Sequence, residues 1–505
     1  MSPWWQSAVA YQLYPRSFAD ANGDGVGDLA GIRARLDHLG WLGVDALWLS
    51  PFFRSPMADF GYDVSDYCDV DPLFGTLEDF DVLLGEAHER GLKVIIDWVP
   101  NHTSDQHEWF RSSRSSRDDP KRDWYRWRDP APDGGPPNNW IRSWSDQPAW
   151  TFDEATGQYY LHCFLPEQPD LNWSNPEVQE AMHGTLRFWL DRGVDGFRMD
   201  VVHLIGKDPA LPDDPPDLAA LSHVPLNHRP ETHELLRDIR TLLDSYDGDR
   251  MAVGEVYLLD TKDVATYYGD ADELHLNFNF PPLYTAWDAA KWRKQLVRAQ
   301  AELDPIGAWP TWVLSNHDNQ RHRTRYGSEA RARAAAVLLL TLRGTPFLYA
   351  GEELGLEDGV IPPERVVDPG GRDGCRSPIP WDATAAHGWG TDDPWLPWPP
   401  EADTRNVATQ RDDPSSILHL YRAVLAARRA SPALSTGTLE LLDARAGVLA
   451  WERVAGDDRR RVLVNFTHEP ADFDADGWSV EVSSVGPGGT PGVLRPDEAV
   501  ILSRP

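Results

Sequence analysis

Arg198 and Asp200 stand two residues apart at the end of the run Gly193-Val194-Asp195-Gly196-Phe197. In an extended strand that spacing puts both side chains on one face. A guanidinium beside a carboxylate keeps it ionised at neutral pH, and an ionised, held carboxylate can act as a nucleophile. Taken alone, the pair reads equally well as a structural ion pair at a strand end. Its company decides: Asp97 is followed by Asn101-His102, Glu255 follows Gly254, and Asp318 closes Asn316-His317-Asp318. Glycoside hydrolysis with retention needs one ionised carboxylate to attack the anomeric carbon and one carboxylic acid to protonate the leaving oxygen. Asp200 suits the first role. Glu255, on an apolar strand, suits the second, its pKa expected to rise through burial and the nearby Asp200. Asp318 would stabilise the developing positive charge, and His102 and His317 would donate to sugar hydroxyls.

These residues converge only if the chain brings strand ends together. Apolar, β-branched runs recur at Ala8–Tyr14, Val44–Leu49, Lys93–Asp97, Val194–Asp200, Met251–Val256, Leu274–Phe278, Thr311–Ser315 and Thr345–Tyr349. Helical patterns such as Leu29–Leu39, Leu77–Arg90, Pro176–Asp191, His233–Ser245 and Glu329–Leu342 fall between them. The alternation predicts a (β/α)8 TIM barrel, an α/β fold whose active residues lie at the strand C-terminal ends. Long aperiodic excursions follow the third strand, the fourth (Lys207 to Thr232) and the eighth (Glu352 to Asn406). Such segments are usually lids. The first carries a strand-like pair, Trp150–Phe152 and Tyr159–Phe164, and reads as an inserted domain. After Arg429, short apolar runs (Val448–Trp451, Arg461–Phe466, Ala499–Leu502) between Gly/Pro/Asp turns predict a C-terminal all-β sandwich. The expected divisions are 1–101 and 170–430 for the barrel, 102–169 for the insert and 431–505 for the last domain.

The 505 residues carry a formal charge of −32, which repels phosphate backbones and anionic membranes. Nucleic acid and membrane are therefore not expected partners. Three scattered cysteines give neither a disulfide framework nor a zinc spacing, as suits a reducing cytoplasm. No leader is read at the N-terminus, and the apolar run Ala334 to Leu340 is too short to cross a bilayer. The 23 Trp residues serve either as core or as stacking surfaces for sugar rings.

The segments Asp97-Trp98-Val99-Pro100-Asn101-His102, Gly196-Phe197-Arg198-Met199-Asp200, Gly254-Glu255-Val256 and Ser315-Asn316-His317-Asp318 resemble, in order, the four signature regions of glycoside hydrolase family 13, the α-amylase superfamily. The resemblance covers essentially the whole chain. It implies Asp200 as nucleophile, Glu255 as acid/base, Asp318 as transition-state stabiliser, and Arg198, His102 and His317 as substrate contacts. The insert would be that family's domain B and the tail its domain C. Gln168-Pro169-Asp170-Leu171-Asn172 and Gly371-Arg372-Asp373-Gly374-Cys375-Arg376-Ser377-Pro378 resemble regions of its α-glucosidase and oligo-1,6-glucosidase branch. That branch implies a retaining exo-α-glucosidase acting on short α-glucosides. Asp63 would grip the terminal glucose together with Arg376, or with Arg372 or Arg411 in its place, and Tyr62 would stack on the ring. Val201 after the nucleophile leans towards α-1,6 linkages, although Val202-His203 departs from the usual run of that branch. His203-Leu204 replaces the Lys-His of endo-acting amylases. A transglucosidase or a trehalose synthase-like isomerase is the alternative on this scaffold. A non-catalytic relative is disfavoured, because all three acids are present.

Asp20-Ala21-Asn22-Gly23-Asp24-Gly25-Val26-Gly27-Asp28 places oxygen donors at alternate positions, as the first nine positions of a calcium loop do, although Gly31 stands at the twelfth. Asp20, Asn22, Asp24, Val26 and Asp28 would hold one structural Ca²⁺ or Mg²⁺, or the stretch is an Asx-rich turn. A monomer or small homo-oligomer is expected.

Overall fold

The computed structural model describes residues 2–258, 260–488 and 490–504. Eight parallel strands form one sheet: β1 (Ala10–Leu13), β2 (Ala46–Leu49), β3 (Lys93–Trp98), β4 (Gly196–Met199), β5 (Met251–Gly254), β6 (Leu276–Asn277), β7 (Thr311–Val313) and β8 (Thr345–Tyr349). The ladder runs continuously from β6 through β5, β4, β3, β2, β1 and β8 to β7. Between β6 and β7 a side chain takes over: the Thr311 hydroxyl donates to Asn277 O at 2.7 Å and accepts from Asn279 N at 3.1 Å. The sheet is therefore a nearly closed barrel. Six strands are shorter than their apolar runs, while β3 is one residue longer than its run and β8 matches it.

The strands are buried along their length, so they read as continuous apolar runs without alternation. Helices cover the outside with one apolar face each. The helix Leu77–Glu89 opens with a capping box between Thr76 and Asp79, and Pro176–Asp191 opens on Asn175 with Pro at its first position. The single helix expected over Leu29–Leu39 is two, Leu29–Ala34 and Leu36–Leu42, broken at Arg35. The helix Glu329–Thr341 is apolar nearly all round because it is wedged between Ile417–Ala430 and the C-terminal sheet. This explains the run Ala334–Leu340. No helix among the described residues is long and apolar enough to cross a membrane.

Between β3 and β4 lies a three-stranded antiparallel sheet, Trp127–Arg128, Gln158–Leu161 and Trp150–Asp153 in that order. Its first strand gave no signal in the sequence. After the barrel, five antiparallel strands (Thr438–Leu442, Val448–Ala455, Asp458–Asn465, Ala499–Ser503 and Ser479–Ser483, in spatial order) form one layer. Among the described residues, the second layer is the ribbon of Ala471–Asp472 and Val493–Leu494.

Candidate active site

Four strand ends deliver the acids. Asp97 lies inside β3, Arg198 inside β4, and Asp200 follows β4 with its N–H on Trp98 O at 2.9 Å. Glu255 follows β5 with its N–H on Met199 O at 2.9 Å. The next residue after Asp200, Val201, adopts φ +34° and ψ +41°, a left-handed conformation rare for a β-branched side chain. That strained turn aims the Val201 N–H at Glu255 Oε2, 3.3 Å away.

One guanidinium organises the centre. Arg198 Nη1 donates to Asp97 Oδ1 at 2.7 Å and to Asp200 Oδ1 at 2.6 Å, while Nη2 donates to Glu255 Oε2. Asp97 also accepts from Trp48 Nε1 at 2.8 Å. Burial works against the Arg198 charge, but Asp97, Glu255, Tyr62 and Asp200 outweigh it and raise its pKa well above the ordinary value. Burial raises Asp97 to about 6 despite Arg198. Burial also pushes Asp200 well up; Arg198 pulls it down, and Glu255 and Asp97 push it up again. Arg198 therefore does not suffice to keep Asp200 in the ordinary carboxylate range, as the sequence suggested it would. Three carboxyl groups share the one Arg198 cation, so their charges work against one another.

Asp318 is the opposite case. Burial would raise it, yet His317, Arg372 and Arg376 hold it well below the usual carboxylate range. Its Oδ1 accepts from Arg372 Nη1 at 3.0 Å and Arg376 Nη2 at 3.1 Å. His317 is itself pushed to about 3, chiefly by burial, so at neutral pH the two arginines carry the effect. His317 Nδ1 lies 2.6 Å from Gln12 Nε2, and its ring stacks under Tyr62 at 5.4 Å.

Asp59, Tyr62, His102, Trp144, Phe164, Gln168, Asp200, Val201, Glu255, Asp318 and Arg372 enclose one pocket with ≈ 330 Å³ of empty space. Asp200, Glu255, Asp318, Tyr62 and His102 thus meet where the sequence reading put them. Arg198 and His317 lie behind the wall, orienting the acids and Tyr62. Asp63 and Arg376 are corrections. Asp63 is fully buried beneath the pocket; its Oδ1 accepts from Ser55 Oγ and Asp59 N, both at 2.9 Å, and its Oδ2 from Ala58 N at 2.8 Å. It folds the 55–59 turn, with Met57, Phe60 and Gly61 all at positive φ. Asp59 is what that turn presents: its Oδ1 accepts from Arg372 Nη2 at 2.5 Å and its Oδ2 from Gln168 Nε2 at 3.0 Å. Arg372 also binds Asp368 twice and lies over the Trp144 ring at 4.4 Å. Arg376, fully buried, braces Asp318, Asp368 and His317 O. Arg411 lines a separate cleft. Sequence reasoning also missed Trp144 and Phe164 as walls, because an aromatic in a Pro/Gly-rich insert carries no positional signal.

Where barrel and insert meet, Lys207 is buried without access to solvent and pairs with Asp170 at 2.9 Å and Asn101 Oδ1 at 2.7 Å. Asn101 Nδ2 reaches His102 Nδ1 at 3.1 Å, so this ion pair underpins the pocket wall.

In the 20–28 loop the oxygens close the turn's own amides: Asp20 accepts from Gly23 and Gly25, Asn22 from Asp24, Asp24 from Val26, and Asp28 from Ala21 and Gly31. Among the described residues no three His, Cys, Asp or Glu side chains converge on a single point, so an ion here needs the Asn22 amide and the Val26 carbonyl as well. The residue types fit a hard cation. Burial, with the Asp20 charge adding to it, raises the Asp28 carboxyl, a penalty that a cation would relieve.

Residues 12–437 match the family profile described as the α-amylase catalytic domain. A probable α-glucosidase of Rhizobium meliloti is 44% identical over 503 residues, covering 93% of this chain and 90% of that protein. An oligo-1,6-glucosidase of Parageobacillus thermoglucosidasius is 39% identical, covering 93% and 92%. Among solved structures, an α-glucosyl transfer enzyme superposes with TM-score 0.94 at 42% identity, covering 100% of both chains. The trehalulose synthase of Pseudomonas mesoacidophila MX-45 gives 0.92 at 36%, also covering 100% of both.

Proposed function

The chain belongs to the α-amylase family and is a glycoside hydrolase of its α-glucosidase branch; from that premise we propose that it releases α-glucose from the non-reducing end of short α-glucosides with retention of configuration. The observation that carries this is Arg198 holding Asp200 and Glu255 on its two terminal nitrogens within one pocket. Asp200 attacks the anomeric carbon. Glu255 gives a proton to the leaving oxygen and then takes one from the water that cleaves the glucosyl–Asp200 ester. Asp318, ionised throughout, faces the developing oxocarbenium charge.

Exo-action follows from the Asp59–Arg372 pair, which ends the pocket and offers charged hydrogen-bonding groups to the hydroxyls of one terminal ring. His102 and Gln168 add polar contacts, and Trp144 and Phe164 add apolar walls. The test is release of glucose from p-nitrophenyl α-glucoside and maltose: Asp200→Ala should abolish both, and near-normal turnover would end the reading. Transfer in place of hydrolysis is the second reading, motivated by the glucosyl transfer enzyme and the trehalulose synthase among the structural neighbours. Product analysis at high sugar concentration separates the two: a new disaccharide supports transfer, and free glucose alone supports hydrolysis. Maltose against isomaltose would settle the linkage that Val201 selects. One Ca²⁺ or Mg²⁺ held by Asp20, Asn22, Asp24, Asp28 and the Val26 carbonyl would stiffen the loop after β1 and take no part in the chemistry. A cytoplasmic location and a monomer or small homo-oligomer complete the proposal.

A further inference from the structure

A second cleft lies apart from the catalytic pocket, lined by Arg35, His38, Trp381, Val407, Arg411 and Asp412 among others. Arg35 stands at the break between the helices Leu29–Ala34 and Leu36–Leu42, His38 lies on the second of them, and Arg411 is on the helix Val407–Asp412. Neither guanidinium has a carboxylate partner within ion-pair distance among the described residues. Arg35 lies over Trp381 at 4.4 Å and gives one bond to Gly388 O at 3.2 Å; Arg411 lies over Trp41 at 4.2 Å. His38 is 5% exposed, and neither of its ring nitrogens has a partner. A buried polar group left in that state costs stability unless something satisfies it. In a chain of formal charge −32, these two arginines offset the Asp37 and Asp412 carboxylates of the same lining and the Asp382 charge that reaches Arg35.

We propose that this cleft binds a small oxyanion of the phosphate class, bridged by the Arg35 and Arg411 guanidiniums with the His38 ring donating from behind. Guanidinium forks match tetrahedral oxyanions in geometry and charge. The imidazole is held neutral, its pKa pushed to about 3 by burial and by both arginines. It therefore keeps one ring N–H as a donor for a bound anion. Two rim carboxylates oppose the anion. Asp37 is turned to Arg90 at 2.8 Å, whereas Asp412 stays free to repel. The cleft communicates with the lid after β8. Trp381 Nε1 donates to Phe18 O at 2.7 Å, and Ser17 Oγ donates to Arg376 O at 2.5 Å, so the cleft wall and the Asp318 brace hang on one segment.

The test is calorimetric titration of the full chain with sodium phosphate, against sodium chloride at matched ionic strength. One saturable event per chain is expected, absent with chloride. Arg411→Gln, a surface change whose fold is checked by circular dichroism, should weaken it roughly tenfold; Asp412→Asn should tighten it. Glucose 6-phosphate binding more tightly than phosphate assigns the cleft to a phosphorylated sugar, and the reverse order assigns it to the free ion, provided Arg411→Gln weakens both. Heats no larger than with chloride, or an affinity unmoved by Arg411→Gln, overturn the proposal.

Discussion

Arg372 Nη2 donates to Asp59 Oδ1 at 2.5 Å, joining the loop after β2 to the lid after β8 at the closed end of the pocket. The same guanidinium reaches Asp318 at 3.0 Å, so the residue that ends the pocket also holds the stabilising carboxylate in place. Asp59→Asn and Arg372→Lys should therefore lower kcat/KM on maltose by about 10²- to 10³-fold. Asp63→Asn should instead lower thermal stability, since its oxygens serve only the 55–59 turn. Steady-state kinetics beside thermal melts decide it; an Asp63 variant with intact stability and lost affinity would restore Asp63 as the gripping residue.

Lys207 and Asp170 are both shut off from solvent. Burial alone would raise Asp170, but Lys207 and His102 hold it below its ordinary value. Lys207→Met leaves a buried, uncompensated carboxylate and should cost about 3–5 kcal/mol. Lys207→Met combined with Asp170→Asn should recover part of that. Denaturant titration of the single and double variants reads this out, and equal losses in both would refute the pairing.

Glu353 is raised by burial to about 7, with Tyr11 Oη donating to its Oε1 at 2.8 Å. The folded value lies above the ordinary one, so this group's contribution to stability is full below the unfolded pKa and is lost as pH rises through about 7. Between pH 5.5 and 8.5 the stability of Glu353→Gln relative to the native chain should rise by about 2 kcal/mol. A pH-independent difference would show that Glu353 does not titrate in that window.

Stripping divalent ions should lower the thermal midpoint by about 3 °C or more, with kcat unchanged at temperatures well below it. Asp20→Asn combined with Asp28→Asn should abolish the response to added Ca²⁺. A midpoint indifferent to chelation would leave the 20–28 segment as an Asx-rich turn whose carboxylates serve only its own amides.

The acids of the proposed centre were legible because strand and motif are local. Asp200 and Glu255 each follow an apolar run that can only be a buried strand, and a barrel puts all such ends on one rim. The break at Arg35, the first insert strand at Trp127–Arg128 and the thinness of the last domain's second layer were not legible, since each depends on what packs against it. The choice between Asp59 and Asp63 shows the boundary most clearly. Both lie in one short stretch, and the family resemblance named Asp63, not Asp59, as the partner of an arginine late in the barrel. Three residues at positive φ and the arrival of Arg372 decided which carboxylate turns to the pocket and which is spent on backbone amides. The electrostatics of the centre were likewise set only by the fold. A pKa depends on burial and on every charge within reach, and three carboxyl groups from three strands meet at Arg198 only once the barrel has formed.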